Sequence, residues 1–239
     1  MITLYSYPEL FGVADNNPYG LKVFAFLKLC KLPFRHEHVF DTKSAPRGQL
    51  PYIVDDGEHI GDSDAIIAHL IGKYDLAIDR RLTRAQQITA HLIRRMLDDL
   101  YWVMSYSRWH DPRFWPLFRD EILRTHPGVS ESSLENARKY NFDRYYYQGI
   151  GRYERDAVFE RGIADLQVLA ELIPDTGCLF GSEPTSSDAG IYGFIANIFF
   201  YDIDTPLKRF VCAQSNLGRH CKSLHAAVSD GVTTRTAAR

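Results

Sequence analysis

The chain has 239 residues, of which 45% are hydrophobic and 24% charged, and its formal net charge is −2. A chain of this length holds one large domain or two small ones, each with its own core. The slightly acidic balance argues against a general nucleic-acid binder, because neutralising phosphates requires a basic surface.

Several segments of the sequence indicate in which cellular compartment the protein is expected. The longest apolar run, residues 191–201, is interrupted by Asn197 and is too short to span a bilayer, and the strand-like start lacks the basic and apolar regions of a signal peptide. The four cysteines are scattered without a Cys-x-x-Cys pair, which indicates neither a zinc site nor a disulfide framework. We therefore expect a cytoplasmic protein with no membrane span and no metal.

The first 75 residues alternate strand and helix signals. Residues 2–7 and 34–40 read as strands, and Asn17-Pro18 opens the helix between them, because Asn is a favoured N-cap and Pro a favoured first helical residue. The periodicity of this helix places Lys22 on its outer face.

A hairpin and a second helix follow. Residues 52–54 are β-prone, Asp56-Gly57 is a strong turn signal, and residues 59–61 form the returning strand. Asp62 or Ser63 then caps a helix over residues 63–74. Together these elements predict a small sheet with helices packed on it.

From residue 84 onward the pattern is helical. One apolar stripe repeats every four residues along a long helix, through Ile88, Leu92, Met96, Leu100 and Met104. Thr185 and Asp188 form a capping box before an apolar helix, which we expect to be the core of a second domain. The predicted organisation is residues 1–75, a linker over 76–84, an all-helical domain over 85–228 and a flexible tail over 229–239.

Three motifs in this order resemble those of the cytosolic glutathione transferase superfamily: Pro46-x-Gly48-Gln49-Leu50-Pro51, Asp62-Ser63-x-Ala65-Ile66, and Thr185-x-x-Asp188. The resemblance covers nearly the whole chain. It implies an α/β plus all-α fold, with a thioredoxin-like N-terminal domain followed by a larger helical-bundle domain. Residues 179–185 and 215–217 are similar to the branch of metaxin and failed-axon-connections proteins.

The resemblance implies a glutathione site in the first two motifs. Leu50 precedes a proline, Pro51, that the family keeps cis, so that the Leu50 backbone pairs with the cysteinyl unit like an added strand. Asp62 and Ser63 correspond to the residues that bind the γ-glutamyl end at a helix N-terminus, although plain N-capping explains an Asp-Ser pair equally well.

Gln49 departs from the lysine that the family usually carries at this position. An uncharged amide still hydrogen-bonds a glycyl carboxylate, but more weakly than an ammonium group. Lys43 and Arg47 are the two nearby candidates for the missing charge.

Asn17-Pro18-Tyr19-Gly20 stands where thioredoxin-like proteins carry Cys-Pro-Tyr-Cys and related transferases carry Ser or Cys. A dithiol mechanism through this motif is excluded. The remaining candidates for holding a glutathione thiolate are Asn17 and the backbone N–H groups at the helix start. Tyr19 is a second catalytic candidate, and Tyr5 and Ser6 are reserve donors. The alternative is that Asn17 is only an N-cap.

Four aromatic residues on the first long helix of the second domain are candidates for the electrophile pocket, although aromatic stripes often belong to the core. They are Tyr101, Trp102, Tyr106 and Trp109. His36 and His38 share a strand face, but no third ligand is evident, so an exposed strand is favoured over a metal site.

These observations predict a glutathione transferase that uses glutathione as cosubstrate, stabilises its thiolate and conjugates it to an electrophilic small molecule. Two alternatives stay open: a non-catalytic glutathione-binding or scaffold protein of the same fold, and a glutathione-dependent disulfide reductase without a protein thiol. The resemblance further implies a homodimer. We expect no nucleic-acid partner.

Overall fold

The computed structural model describes residues 1–229. A four-stranded sheet lies in the N-terminal part, with strand order β2-β1-β3-β4. The first two strands are parallel and the other neighbours are antiparallel. The strands are β1 (Ile2–Ser6), β2 (Phe34–His38), β3 (Tyr52–Asp55) and β4 (Glu58–Gly61).

Two helices pack on the sheet, and the rest of the described chain is helical. Helix α1 (Pro18–Leu29) connects β1 to β2, and α2 (Ser63–Lys73) follows β4. The later helices are α3 (Arg84–Trp109), α4 (Trp115–Thr125), α5 (Glu131–Gln148), α6 (Arg155–Leu172), α7 (Ser186–Phe199), α8 (Pro206–Ala213) and α9 (Ser215–Ser229). The predicted α/β plus all-α fold class is confirmed. No helix within residues 1–229 combines the length and apolarity needed to cross a membrane.

Helix α1 joins the two parts of the molecule. Its N-cap is Asn17, whose side-chain oxygen accepts the Tyr19 N–H at 3.0 Å, and Pro18 occupies the first turn as predicted. Residues on every side of the helix are buried, because one face packs on the sheet and another on α7. The hydrophobic core is consequently continuous from the sheet into the helical part.

Helix α7 is the core helix of the helical part, as its sequence predicts. The Asp188 carboxylate accepts hydrogen bonds from the Thr185 N–H at 2.8 Å and from the Thr185 hydroxyl at 2.7 Å, which completes the capping box. Its other oxygen lies 2.9 Å from the His220 ring nitrogen. The start of α7 is therefore tied to α9.

The predicted apolar stripe of α3 is buried only in its second half. Ile88 and Leu92 are 49% and 62% exposed, whereas Leu100 is fully buried. A repeat of four residues drifts by about 40° per step around an α-helix, so it cannot follow one face for five turns. The buried face instead runs through residues such as Ile93 and Leu97.

Several segment boundaries differ from the sequence expectation, by one residue in the hairpin and in α2 and by up to two elsewhere. The first two predicted strands overshoot, since β1 ends at Ser6 and β2 at His38. Ser229, the first residue of the predicted tail, is the last residue of α9. The remainder of that tail, residues 230–239, lies outside the described residues, and the predicted domain boundaries stay predictions.

We expect Gly193→Ala to destabilise the protein by loosening the contact between α1 and α7. A Cβ at Gly193 would lie 2.5 Å from the Pro18 carbonyl oxygen and 2.8 Å from the Lys22 backbone nitrogen. Backbone atoms cannot move aside as a flexible side chain can, so the two helices must separate. The expected loss is about 1–3 kcal/mol of unfolding free energy, measured by urea unfolding.

Gly190→Ala is the matched control on the same helix. A Cβ there would meet only side-chain atoms, at 3.8 Å from Leu97 Cδ1 and 4.0 Å from Lys22 Cδ. Because Ala favours helix over Gly by about 1 kcal/mol, this variant should be as stable as wild type or more so. Equal stability losses in the two variants would contradict the proposed close contact.

Candidate functional site

Two cavities meet beside the start of α1. The first, here called the groove, has a volume of about 490 Å³; residues 47–51 and 62–64 form one wall, and Arg95 and Asp98 of α3 form the other. The second, here called the aromatic cavity, has a volume of about 440 Å³ and is lined largely by aromatic and aliphatic side chains of α3, α4 and α5. The groove combines both signs of charge, as a zwitterionic peptide requires.

The Leu50–Pro51 peptide bond is cis and forms the floor of the groove just before β3. Leu50 is almost fully buried. Within residues 1–229 its backbone N–H and C=O have no hydrogen-bond partner. These two groups are available to an extended ligand, which is the arrangement predicted for the cysteinyl unit.

Asp62 is the N-cap of α2 and lies in the groove wall with Ser63. One carboxylate oxygen of Asp62 accepts the backbone N–H groups of Asp64 at 3.0 Å and Ala65 at 3.1 Å. Its other oxygen faces the Arg47 guanidinium at 3.3 Å. The capping role of Asp62 is therefore real, and its second oxygen stays on the groove side.

Lys22 is buried, which corrects the sequence expectation that it points outward. Its ammonium group donates to the Ser63 hydroxyl at 3.1 Å and forms an ion pair with Asp64. The reason is that α1 is covered on both sides, so no face of it is free for a lysine. A cation consequently lies directly behind the start of α2, where it favours an anionic ligand group.

The two candidates for the charge missing at Gln49 are placed differently. Arg47 and Gln49 both line the groove. Lys43 is 91% exposed, pairs with Asp41 at 3.7 Å and is not part of the groove wall. Of the two, only Arg47 is near the proposed ligand.

Asn17 borders both cavities, and its immediate support is a buried carboxyl group. Asp15 Oδ1 accepts the Asn17 N–H at 2.7 Å, and Asp15 Oδ2 has no hydrogen-bond partner within the described residues. Burial raises the pKa of Asp15 to about 8, against the opposing effects of the Asn17 N–H, Ser6 and Arg108. Gly20 is required here, because a Cβ at that position would overlap Asp15 Oδ2.

Arg108 holds the same segment from the helical part and was not identified from the sequence. Its guanidinium donates to the Asn16 carbonyl and, at 2.8 Å, to the Asn197 carbonyl. The Asn197 amide in turn donates to the Asp15 carbonyl at 3.1 Å. This buried cation therefore anchors residues 15–17 and adds positive potential beside Asn17.

The other candidate donors are already engaged. The Tyr19 hydroxyl donates to Asp98 Oδ1 at 3.0 Å, and burial together with this carboxylate raises the pKa of Tyr19. Tyr5 stacks on Tyr52 at a centroid distance of 4.5 Å. Ser6 is fully buried, with its hydroxyl 2.7 Å from the His36 ring nitrogen. Asn17 is therefore the predicted donor with the most direct access to both cavities.

The four predicted electrophile-pocket residues separate into two groups. Tyr101 and Trp109 line the aromatic cavity. Trp102 borders the groove instead, and Tyr106 is 1% exposed, stacked on His110 inside the core. Tyr106 lies four residues after Trp102 on the same helix, but its side chain points into the core of the helical part. The sequence alone does not indicate this difference.

We expect Asp15→Asn to stabilise the protein increasingly as pH rises from about 5 to about 8. The folded protein keeps Asp15 protonated up to about pH 8, whereas an unfolded chain ionises aspartate near about pH 4. Between these values the folded state binds more protons, so this group lowers stability with rising pH, by at most about 1.4 kcal/mol per unit.

Thermal melting of both proteins at several pH values measures this effect. The asparagine has no ionisable group, so the melting-temperature difference should widen toward pH 8 and vanish at acidic pH. A difference that is the same at every pH would show that Asp15 does not titrate as the structure indicates.

Comparison with known proteins agrees with this geometry. The family models described as "Glutathione S-transferase N-terminal domain" and "Glutathione S-transferase, C-terminal domain" match residues 18–114 and 162–224. The "Isoprene-epoxide--glutathione S-transferase" of Rhodococcus sp. (strain AD45) is 31% identical over 207 residues, covering 83% of this chain and 87% of that protein.

Two further comparisons extend the similarity. "Failed axon connections" of Drosophila melanogaster is 29% identical over 232 residues, which are 88% of this chain but 54% of that protein, so the chain spans about half its length. A glutathione transferase family member from Pseudomonas fluorescens, solved with two glutathione bound, superposes with a TM-score of 0.62 at 16% identity, covering 95% of this chain and 90% of that one. The matched domains and the identity across most of both chains show that this protein belongs to the glutathione S-transferase superfamily.

Proposed function

We propose that this protein is a glutathione transferase that binds glutathione in the groove, stabilises its thiolate beside Asn17 and adds it to a small electrophile in the aromatic cavity. The observation that carries the proposal is that Asn17 borders both cavities. A peptide thiol in the groove and an apolar molecule in the neighbouring cavity would meet at this residue.

The groove supports the binding half of the proposal. The free backbone groups of Leu50 suit the cysteinyl unit, and the N-terminus of α2, with Lys22 behind Ser63, suits the γ-glutamyl carboxylate. The carboxylates of Asp98 and Asp62 in the groove wall have the charge that suits the amino group of the same unit, which would share them with Arg95 and Arg47. Each end of glutathione thus has a group of opposite charge or a hydrogen-bond partner.

Thiolate stabilisation follows from three features around Asn17. Its side-chain oxygen is used in capping, which leaves its N–H₂ group as a donor. The N-terminus of α1 and the buried Arg108 add positive potential, while a protonated Asp15 adds no opposing charge. Lowering a thiol pKa by about two units from about 8.5 requires about 2.7 kcal/mol, which is within the range of such a group of interactions.

The aromatic cavity supports the electrophile half of the proposal. A volume of about 440 Å³ with Tyr101, Trp109 and Phe118 in its walls fits a small, largely apolar molecule. The name of the Rhodococcus relative, an isoprene-epoxide glutathione S-transferase, supports the same class of reaction. A homodimer and a cytoplasmic location stay predictions.

Three substitutions of Asn17 separate capping from thiolate stabilisation. Asn17→Ser and Asn17→Asp both keep an N-cap, but the aspartate places a negative charge beside the sulfur, whereas Asn17→Ala removes both functions. We expect Asn17→Asp to raise the thiol pKa of bound glutathione by at least about one unit and Asn17→Ser to change it little. The ultraviolet absorbance of the thiolate, recorded as a function of pH, measures the thiol pKa of bound glutathione.

Binding and turnover are measured in the same preparations. Calorimetric titration with glutathione that gives no binding would contradict the proposal, and binding without conjugation of any tested electrophile would identify a non-catalytic binder. An identical thiol pKa in wild type and all three variants would remove Asn17 from the mechanism. Asn17→Ala is also expected to lose about 0.5–2 kcal/mol of stability through its cap.

Gln49→Lys should tighten glutathione binding by restoring a charged partner for the glycyl carboxylate. A charge-assisted hydrogen bond contributes about 1 kcal/mol more than a neutral one, which corresponds to a dissociation constant about fivefold lower. Lys43→Gln is the control, because Lys43 lies outside the groove wall and should leave binding unchanged. A Gln49→Lys variant with wild-type affinity would place the glycyl end elsewhere.

A further inference from the structure

The groove and the aromatic cavity share a small set of residues, here called the junction. Sulfur and electrophile must react at the junction, because only there does a ligand of one cavity touch a ligand of the other. Its members are Tyr7, Asn17, Thr42, Tyr101, Tyr140 and Arg144. Arg144 is the one charged residue among them.

Arg144 is held in place by aromatic rings and by its own helix. Its guanidinium carbon lies 5.0 Å from the Trp102 ring centroid and 5.7 Å from that of Tyr140. One terminal nitrogen, Nη1, donates to Asn141 Oδ1 at 3.0 Å. Stacking between two rings fixes the guanidinium plane and leaves further N–H donors of the group unused.

The charge of Arg144 is not neutralised by the described protein. Within residues 1–229 no carboxylate oxygen lies within 4.0 Å of its guanidinium, whereas Arg138 on the same helix faces Glu135 at 3.8 Å. The carboxylate of Asp98, in the groove wall, forms an ion pair with Arg95 at 2.8 Å. An unpaired cation at the point of reaction therefore has an anionic reactant or product as its natural partner.

Tyr7 adds a neutral donor at the same place. It directly follows β1 and lines both cavities. Burial raises the pKa of Tyr7 to about 12, so its hydroxyl keeps its proton at neutral pH. A hydroxyl and a guanidinium at one cavity mouth are the two kinds of donor that stabilise a developing oxyanion.

We propose that Arg144, assisted by the Tyr7 hydroxyl, stabilises the alkoxide that forms when the glutathione thiolate opens an epoxide in the aromatic cavity. This inference rests on the proposed glutathione transferase function and assigns a catalytic residue to it. Arg144 is then a catalytic residue that touches the reacting oxygen.

The step balances without any further reactant. The thiolate sulfur forms a bond to one epoxide carbon, the bond between that carbon and oxygen breaks, and its electron pair stays on the oxygen. The resulting alkoxide takes a proton from water, which replaces the proton released when the glutathione thiol ionised. Glutathione and epoxide thus combine into one hydroxy thioether.

A leaving group other than oxygen should not need Arg144 to the same degree. An alkoxide is a strongly basic, localised anion, and its developing charge gains much from a fixed cation and hydrogen-bond donors. A chloride is a weak base that leaves with little assistance. Comparing an epoxide with a chloride therefore isolates the contribution of Arg144 to the oxygen.

The experiment measures kcat and KM with styrene oxide and with benzyl chloride, which share an aromatic ring and differ in the leaving atom. Arg144→Met keeps the length of the side chain without its charge, and Arg144→Lys keeps the charge. Arg138→Met is the matched control, because Arg138 is also stacked on aromatic rings of the helical part but lies outside both cavity walls. Thermal melting verifies that each variant is folded.

We expect Arg144→Met to lower kcat for styrene oxide about 100-fold and kcat for benzyl chloride by less than about threefold. Arg144→Lys should retain most of the epoxide activity, and Arg138→Met should retain both activities. A loss of activity that is confined to the epoxide would not arise if Arg144 had only a structural role.

Three results would overturn the inference. Equal losses on both substrates would place Arg144 on the thiolate or the fold, and equal retention would remove it from the reaction. A wild-type enzyme that conjugates benzyl chloride but not styrene oxide would contradict the epoxide assignment while leaving the proposed transferase function intact. A wild-type protein without activity on either compound would contradict the proposed function itself.

Discussion

The burial of α1 between the sheet and α7 is the constraint on which the rest of the molecule depends. Because both faces of α1 are covered, the segment that precedes it must run through the interface between the two parts of the chain. Arg108 of α3 and Asn197 of α7 then hold this segment through its backbone carbonyls. The groove and the aromatic cavity meet at Asn17 as a result.

Two cations, Arg108 and Lys22, are buried around this segment. Arg108 has no carboxylate partner in the described residues, whereas the ammonium group of Lys22 lies behind Ser63 and forms an ion pair with Asp64. Burying charges costs free energy unless they are paired, and well-packed apolar residues would often be at least as stabilising. Asp64 pairs with Lys22, and the carbonyl groups of Asn16 and Asn197 accept hydrogen bonds from Arg108, which offsets part of this cost.

The protonated state of Asp15 is part of the same arrangement. An ionised carboxylate next to Asn17 would oppose a thiolate, but burial raises the pKa of Asp15 to about 8 and removes that charge at neutral pH. Its carboxyl oxygen still accepts the Asn17 N–H and so fixes the N-cap. An amide N–H₂ group beside an uncharged carboxyl group is compatible with the proposed thiolate binding.

Local signals in the sequence determined the elements that need only a few neighbouring residues. The N-cap at Asn17-Pro18, the Asp56-Gly57 hairpin and the Thr185–Asp188 capping box are all present as predicted, because caps and turns are made by groups within about four residues of each other. The cis Leu50–Pro51 bond and the fold class followed from the family resemblance.

The tertiary structure alone decided which side chains meet across the chain. Lys22 faces inward because α7 covers the face of α1 that would otherwise be exposed to solvent. Tyr106 lies in the core, whereas Trp109 lines the aromatic cavity. Arg108 reaches Asn16 across a separation of 92 residues. Such contacts depend on how whole helices pack, and the pattern within one helix does not specify which residues of another helix pack against it.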